Sequence, residues 1–415
     1  MKNKFLLLLI ISFIGINLKY LKAQNNNVSL GPNYQNQIFY SMSAGEVANI
    51  SNENWDIAFS TDLYSTTIRI NEGKGTELYT YSLGDTSSWS NINNSATNTL
   101  GQPMYNSDLD WSVGAFDVNI TSGFDYGWGV YNMSSHHVVG DSLFIIKTVN
   151  GNYKKLWIES KASGKYFFKY ANLDGSNLQN QEVPASDFNS KNFIYFSLDQ
   201  NNILDREPSS NDWDLTFTRY ITPVQGIPYP VTGVFSNNNV EVAQVNGIAS
   251  PITYTDYFSH VFSTNINTIG YDWKSYQGSY IIASDRCYFV RDLYGDVWRL
   301  IFTSFDGMST GNIEFNTEKL EPSTSSQNLT SVHSFNIYPN PVNNQDATLL
   351  YDVDDNIKNM QIISSIGKVI FQNNISHNGF NSIKIPTSEL ESGLYLVLLN
   401  DQFNNTILTE KIIVY

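Results

Sequence analysis

The chain has 415 residues, of which 14% are aromatic and 15% charged, and its formal net charge at pH 7 is −15. Proteins that bind nucleic acid neutralise phosphates with clustered Lys and Arg, and this sequence has no such cluster, so nucleic acid is excluded as an expected partner. The single cysteine, Cys287, excludes an internal disulfide, and the length allows two or three domains.

The apolar pattern of the sequence favours strands over helices. Period-two runs recur along the chain, whereas no long segment shows sustained i, i+3, i+4, i+7 apolar spacing. Tyr and Phe, which are enriched in strands, are abundant. The sequence therefore predicts an all-β protein with two repeated antiparallel β domains and a C-terminal Ig-like β-sandwich.

Residues 1–23 have the features of a secretory signal peptide. Lys2 and Lys4 precede an apolar run from Phe5 to Ile16, and the small Ala23 lies where a signal peptidase could cut. The run is short for a membrane-spanning helix, and no other segment is long and apolar enough to span a bilayer. We expect an exported protein without an integral membrane segment after the signal is removed.

Two similar halves follow, predicted as domains at 24–185 and 186–320. The strongest similarity is between Trp55-Asp56-Ile57-Ala58-Phe59 and Trp213-Asp214-Leu215-Thr216-Phe217. An aromatic strand precedes each motif, at 38–42 in the first half and at 194–198 in the second. We interpret each Asp as a cap for a neighbouring loop or backbone amide and not as a catalytic acid.

Each half also contains a predicted hairpin. Asp141 to Ser160, with Gly151 in the turn, aligns without gaps on Asp285 to Ser304, with Gly295 in the turn. Glycine suits the positive φ of a tight turn. Between the Trp-Asp motif and the hairpin the halves diverge into Asn/Ser/Thr-rich loops, which on a repeated scaffold are where binding specificity usually resides.

Several motifs of the first half recur together in one known family. They are the aromatic strand, the Trp55–Phe59 strand, Ile68-Arg69-Ile70-Asn71 before the turn at 72–75, Gly127-Trp128 and the hairpin. In this combination the half resembles the HmuY family of all-β haem-binding proteins. The resemblance covers residues 38 to about 170, and 193–316 more loosely, because the second half has Tyr220 to Val231 in place of the Ile-Arg-Ile-Asn segment.

The resemblance implies that haem is held by two side-chain ligands on the iron, for which His and Met are suitable types. The candidate cofactor-binding residues are His136, His137, Met104 and Met133, with the two histidines as candidate ligands of the haem iron. Tyr126, Trp128 and Tyr131 could stack on a porphyrin. The alternative is that adjacent histidines in a polar loop are simply exposed. In the second half Tyr280 and Ile281 align with the histidines, so we do not expect that half to bind haem.

Signatures of catalysis are missing from the sequence. It has no nucleophile elbow, no His pair at metal spacing and no Gly-rich phosphate loop. The acidic clusters at Asp108 and Asp110 and at 352–355 do not reproduce an EF-hand ligand ladder. We therefore predict a binding protein and not an enzyme, although the carboxylate pair of a glycosidase is set by the fold and is not visible in a sequence.

The last segment, 335–415, follows a predicted Ser/Thr/Asn/Gln-rich linker at 321–334. Its motifs are Phe335 to Val342, Ile366 to Val369, Ser392 to Val397 and Glu410 to Tyr415. Together these closely resemble the type A sorting domain that Bacteroidota-type bacteria use for type IX secretion. The resemblance implies that the type IX secretion machinery is a partner and that the protein is secreted, with the outer cell surface as one destination.

The sequence thus predicts a secreted or cell-surface binding protein. The first hypothesis is that the first repeat, residues 24–185, captures haem or porphyrin. The alternative is a surface adhesin or glycan-binding protein that keeps the same scaffold without haem ligation. The two hypotheses differ in whether His136, His137 and Met104 converge on one cleft.

Overall fold

The computed structural model describes residues 24–121, 123–321, 332–343, 345–353, 357–364, 368–375, 379–401 and 406–415. The predicted signal peptide, most of the predicted linker and the acidic residues 354–355 lie outside the described residues. The described chain consists of antiparallel strands joined by turns and short 3₁₀ helices, which confirms the predicted all-β class.

The strands are numbered in chain order. Those up to residue 204 are β1 (Gln24–Ser29), β2 (Asn36–Ser41), β3 (Gly45–Ser51), β4 (Ile57–Ser60), β5 (Ile68–Ile70), β6 (Glu77–Thr80), β7 (Gly129–Asn132), β8 (His137–Gly140), β9 (Phe144–Lys147), β10 (Tyr153–Ala162), β11 (Lys165–Asn172), β12 (Gln179–Val183), β13 (Phe193–Ser197) and β14 (Asn202–Leu204).

The later strands are β15 (Leu215–Val224), β16 (Ile227–Ser236), β17 (Glu241–Val245), β18 (Lys274–Tyr276), β19 (Tyr280–Ile282), β20 (Cys287–Arg291), β21 (Val297–Phe305), β22 (Asn312–Glu321), β23 (Val332–Tyr338), β24 (Ala347–Val353), β25 (Ile357–Ser364), β26 (Val369–Asn374), β27 (Gly379–Ile385), β28 (Gly393–Asp401) and β29 (Thr406–Val414). Short 3₁₀ helices lie at Pro32–Tyr34, Glu72–Lys74, Thr86–Asn91, Asn94–Thr99, Ala115–Asp117, Ala185–Phe188, Pro251–Thr253, Gly307–Ser309 and Thr387–Glu389.

Residues 53–205 form what we call the first unit. One of its sheets has the order β14-β13-β4-β5, and the other has the order β12-β11-β10-β8-β7, with β9 joining β6 to β10. Apolar side chains from both sheets share one core, among them Phe59 and Phe196 from the smaller sheet and Ile146, Leu156 and Phe168 from the larger. Burial of these large side chains is the main force that holds the two sheets together.

The second unit consists of residues 24–52 and 206–321. Its sheets have the orders β16-β15-β2-β3 and β1-β22-β21-β20-β17, with β18 and β19 as a separate hairpin. Tyr40, Phe217, Val290, Phe302 and Phe315 are among the residues of its core. The arrangement of four strands in the smaller sheet is the same in both units, so the internal repeat seen in the sequence is also a structural repeat.

The two units exchange their aromatic hairpins. The hairpin β2–β3 precedes the first Trp-Asp motif, yet β2 pairs with β15, with Tyr40 opposite Leu215. In the same way β13 pairs back with β4, with Phe196 opposite Ile57. The predicted boundary between residues 185 and 186 therefore separates strands that share a sheet. The first unit includes the hairpin β13–β14, which follows this boundary, and the second unit includes the hairpin β2–β3, which precedes it.

The Asp of each Trp-Asp motif fixes an exchanged hairpin. Asp56 accepts hydrogen bonds from the backbone N–H of Val149 at 2.9 Å and of Leu198 at 2.7 Å. Asp214 accepts one from the backbone N–H of Met42 at 2.7 Å. Burial raises the pKa of both carboxyl groups to about 6. The capping role predicted for these residues is confirmed.

Glycines allow tight turns and close approach at a few positions. Gly151 and Gly295 have φ values of 82° in the two hairpin turns, which confirms the positive φ predicted there. At the contact between the units, a Cβ on Gly73 would lie 1.8 Å from the carbonyl oxygen of Arg219. Only glycine allows the backbones of the two units to approach so closely.

Trp111 lies at the contact between the two units. Its ring packs at 6.0 Å from that of Phe193 and at 5.5 Å from that of Phe235. Its indole N–H donates to the carbonyl oxygen of Ser236 at 2.8 Å, and the Arg69 guanidinium lies over its face at 4.9 Å. Direct polar and aromatic contacts therefore join the two units.

The segment from residue 332 onward is a sandwich of two antiparallel sheets, as predicted. One sheet has the order β23-β24-β27 and the other the order β26-β25-β28-β29. Leu349, Val353, Met360 and Val397 come from different sheets and share a core of their own. Val342 holds the last strand, because its N–H donates to the carbonyl of Ile413 at 2.8 Å.

Candidate binding site

Two hairpins at equivalent positions of the repeat present tyrosines to open clefts. Each hairpin, β7–β8 in the first unit and β18–β19 in the second, begins just after a buried tryptophan, Trp128 or Trp273. Trp128 is fixed by its N–H, which donates to the carbonyl of Thr66 at 3.0 Å. Both tryptophans are buried in the core of their unit and so connect each hairpin to it, but among the described residues the Nε1 of Trp273 has no hydrogen-bond partner.

The first cleft lies against β7–β8 and has a volume of about 500 Å³. The side chains that matter for its chemistry are Tyr64, Tyr126, Tyr131, His136, His137 and Lys161. The second cleft lies against β18–β19 and has a volume of about 560 Å³. Its corresponding side chains are Tyr229, Tyr271, Tyr276, Tyr280, Arg219 and Lys274. Both volumes fall in the range of small-ligand sites.

The repeat alignment matches the two clefts to each other. Tyr126 and Tyr271 lie two residues before the aligned tryptophans, and Tyr131 and Tyr276 lie three residues after them. His136 in the first cleft aligns with Tyr280 in the second. Because equivalent positions line both clefts, the clefts are a repeated feature of the scaffold.

The structure brings the two predicted histidines to one cleft. His136 is exposed, has a φ of 58° in the turn between β7 and β8, and its Nδ1 lies 2.8 Å from the hydroxyl oxygen of Tyr131. His137 is half-buried at the start of β8, opposite Asn132. Both line the first cleft. Among the described residues, no group of three His, Cys, Asp or Glu side chains could hold a metal ion.

The two predicted methionines lie elsewhere. Met104 is buried in the core of the first unit, where its N–H donates to the carbonyl of Leu78 at 2.8 Å and its sulfur lies 3.3 Å from the amide nitrogen of Asn119. Met133 is 69% exposed in the β7–β8 turn. Neither lines the first cleft, so the structure does not combine either methionine with the histidines there.

Lys161 in the first cleft supports a loop with its ammonium group. It donates to the carbonyl oxygens of Asp62 at 2.9 Å and Leu63 at 3.1 Å, and also to that of Ser65. Burial lowers the pKa of Lys161 to about 8. Three acceptors use the three donors of the ammonium group, so Lys161 shapes the cleft and has no free donor for a ligand.

The two basic residues of the second cleft differ in their surroundings. Lys274 donates to the carbonyl oxygens of Thr232 at 2.5 Å and Tyr271 at 3.3 Å, and burial lowers its pKa to about 7. Arg219 is half-buried, and among the described residues its guanidinium has no hydrogen-bond or ion-pair partner. Arg219 is therefore the cation that is available to a ligand.

Three tyrosines of the second cleft show much of their surface to solvent. Tyr229 is 56%, Tyr276 is 68% and Tyr280 is 38% exposed. The rings of Tyr276 and Tyr280 meet edge to face at 5.2 Å. Desolvation, together with a hydrogen bond with Tyr280, raises the pKa of the nearby Tyr34. The cleft thus offers aromatic faces with hydroxyl groups at their edges.

The second cleft was not predicted from the sequence. No haem binding is predicted for the second half, because that half lacks the histidine ligands, and no other site is predicted there. A usable signal was present in the sequence, since Tyr271 and Tyr276 align with Tyr126 and Tyr131 on either side of the aligned tryptophans. Arg219 gave no signal of its own. Its lack of a partner is visible only in three dimensions.

Comparisons with known proteins identify the last segment of the chain. Residues 336–415 match the family model described as a secretion system C-terminal sorting domain. No curated protein matches the chain. The resemblance of the first half to the HmuY family stays a prediction.

A solved structure with a similar chain comes from a study of PorZ, described as an essential bacterial surface component of the type-IX secretion system of Porphyromonas gingivalis. The two sequences are 11% identical, the match covers 72% of this chain and 53% of that chain, and the TM-score is 0.17. The chain thus spans about half the length of that protein.

No helix in the described part of the chain is long and apolar enough to cross a membrane. The sorting-domain match implies interaction with the type IX secretion machinery. Residues 336–415 are therefore a secretion system C-terminal sorting domain, and the protein that carries it is secreted or attached to the cell surface by type IX secretion.

Proposed function

We propose that this exported protein binds saccharides in its two tyrosine-lined clefts. The observation that carries the proposal is the recurrence of cleft-lining tyrosines at equivalent places in the two units, the half-buried Tyr131 in the first cleft and the exposed Tyr276 in the second. A tyrosine ring packs against the C–H face of a sugar, while its hydroxyl group can bond to the hydroxyls at the sugar's edge. This function corresponds to the glycan-binding alternative that the sequence left open.

Two clefts on one body favour a ligand with repeating units. When one cleft holds a chain, the next part of the same chain is at a high effective concentration near the other cleft. A polysaccharide outside the cell would supply such a ligand. A secreted or surface-attached protein would meet it there.

The test is binding of an oligosaccharide array by the chain from residue 24 onward, beside Tyr131→Ala and Tyr276→Ala variants. We expect each substitution to weaken binding and the double variant to lose it. The matched control is Tyr294→Ala, because Tyr294 is 47% exposed at a hairpin turn and lines neither cleft. Equal binding by the double variant and the control would contradict the proposal.

Haem capture is a second candidate, favoured by one observation, which is that His136 and His137 both line the first cleft. Met104 and Met133 lie away from that cleft, so a second axial ligand would have to come from another side chain, such as the phenol of Tyr131. A haemin titration tests it. A sharpened Soret band that saturates near one haem per chain and is lost in a His136→Ala/His137→Ala variant would support haem capture, whereas a broad, non-saturating spectrum would exclude it.

A further inference from the structure

We propose that the second cleft selects an acidic saccharide and binds its carboxylate through Arg219. This inference rests on the proposed saccharide-binding function and names the class of sugar for that cleft. It is carried by the charges of the cleft, by the position of Arg219 and by the partners of the other arginines.

The second cleft is basic on an acidic protein. Of the residues that line it, Arg219 and Lys274 are basic and none is acidic, although the whole chain has a net charge of −15. The guanidinium of Arg219 is positively charged at neutral pH, whereas the lowered pKa of Lys274 leaves that side chain partly charged. Their combined positive charge concentrates anions in the cleft. The neighbouring polar cleft that Arg219 also borders is different, since Glu53, Glu72 and Glu77 line it.

Arg219 lies where the core of the second unit ends and the cleft begins. Leu215 and Phe217 precede it at alternate positions on β15 and are buried in the core. Side chains at alternate positions point to the same face of a strand, so Arg219 continues this face into the cleft. There it is half-buried.

The other arginines of the chain all have partners. The sequence contains six arginines, and all of them lie within the described residues. The five besides Arg219 donate to acceptors as follows: Arg69 to the carbonyl of Asp110, Arg206 to Gln37, Arg286 to Asp272, Arg291 to Glu241 and Arg299 to Glu318. No nitrogen of Arg219 is among the fully buried side-chain atoms of the described residues that lack a partner, so its donors are accessible from the cleft and free to bind the acceptors of a ligand.

A carboxylate is the acceptor that fits this cleft. The planar guanidinium forms two parallel hydrogen bonds to a carboxylate. Tyr276 and Tyr280 beside it supply the aromatic faces on which a sugar ring can pack. A uronic acid has both a carboxylate for Arg219 and a sugar ring for the tyrosines in one residue.

The test uses the chain from residue 24 onward and isothermal titration with galacturonate oligomers, with carboxyl-reduced oligomers of the same length, and with a sulfated oligosaccharide, all at fixed salt. We expect the acidic oligomer to bind about tenfold more tightly than the reduced one. Arg219→Gln should remove this preference, so that the acidic and the reduced oligomers bind with similar affinity. Arg219→Lys should keep part of it.

The control variant is Arg291→Gln, because Arg291 lines neither cleft and is paired with Glu241. An unchanged preference in Arg219→Gln, or tighter binding of the sulfated sugar than of the galacturonate, would overturn the inference. In that case the saccharide function still stands if Tyr276→Ala weakens binding of the reduced oligomer. If the wild-type chain binds none of the three sugars, the proposed function and the inference both fail.

Discussion

At the scale of single residues, Asp56 and Asp214 hold the exchanged hairpins. Each carboxylate accepts hydrogen bonds from buried backbone amides, so its removal leaves those amides unsatisfied. We expect Asp56→Ala and Asp214→Ala each to lower the free energy of unfolding by about 1–3 kcal/mol. Urea denaturation measures the change. Asp141→Ala is the control, because Asp141 is exposed, and its effect should stay within about 0.5 kcal/mol.

The buried carboxyl groups also predict how stability depends on pH. Burial raises the pKa of Glu72 and Glu207 to about 7 and that of Asp117 to about 8. In the unfolded chain these groups titrate near pH 4. Between pH 4 and 7 the folded state therefore binds more protons than the unfolded state, and the free energy of unfolding falls as pH rises.

Buried lysines oppose this trend mainly above pH 7. Burial lowers the pKa of Lys161 to about 8 and that of Lys274 to about 7, so both raise stability as pH rises above 7, and only Lys274 begins to do so just below pH 7. The measurement is the urea midpoint at pH 5 and at pH 7, which should be higher at pH 5. Asp117→Asn should reduce the difference. A urea midpoint that rises from pH 5 to pH 7 would contradict the prediction, because it would show that the buried carboxyl groups do not have raised pKa values in the folded protein.

At the scale of elements, the exchanged hairpins decide which fragments can fold. Residues 53–205 contain all strands of the first unit, whereas residues 24–185 lack β13 and β14. We therefore expect a fragment of residues 53–205 to show a cooperative thermal transition and a fragment of residues 24–185 to show none. Circular dichroism measures both. If residues 24–185 melt cooperatively and residues 53–205 do not, the strand exchange is wrong.

Sequence reasoning found the elements of this fold better than their partners. The Trp-Asp motifs, the hairpin turns at Gly151 and Gly295 and the capping role of Asp56 all follow from local patterns. The exchange of the hairpins does not follow from local patterns. β2 and β13 are similar aromatic strands, and each half has a Trp-Asp motif with which either strand could pair. Which pairing occurs depends on packing in three dimensions.

The same limit applies to the candidate site. The histidines could be placed near one another because they are adjacent in sequence. Met104 could not be placed, because a methionine in a loop suits a cleft or a core equally well, and here its side chain lies in the core. Tyr229 and Tyr276, which are far apart in sequence, meet at the second cleft only through the fold.

At the scale of the whole molecule, the sorting domain is a separate folding unit. Its core contains only residues after position 336, and the two other main cores contain none of them. We expect deletion of residues 332–415 to leave the thermal transition of the remaining body unchanged while the protein is no longer delivered outside the cell. Cell fractionation with immunoblotting measures this. Delivery of the truncated protein to the medium would contradict the role of the sorting domain.

The position of β22 has a mechanical consequence. This strand is the last described strand before the sorting domain in the chain. It lies between β1 and β21, with Thr317 opposite Gln24 on one side and opposite Leu300 on the other. If the protein is anchored through its C-terminal part, a pull on a captured ligand loads β22 along its length. The backbone hydrogen bonds of β22 to β1 and to β21 are then loaded in shear. We therefore expect β22 to be among the strands that need most force to be separated from the sheet.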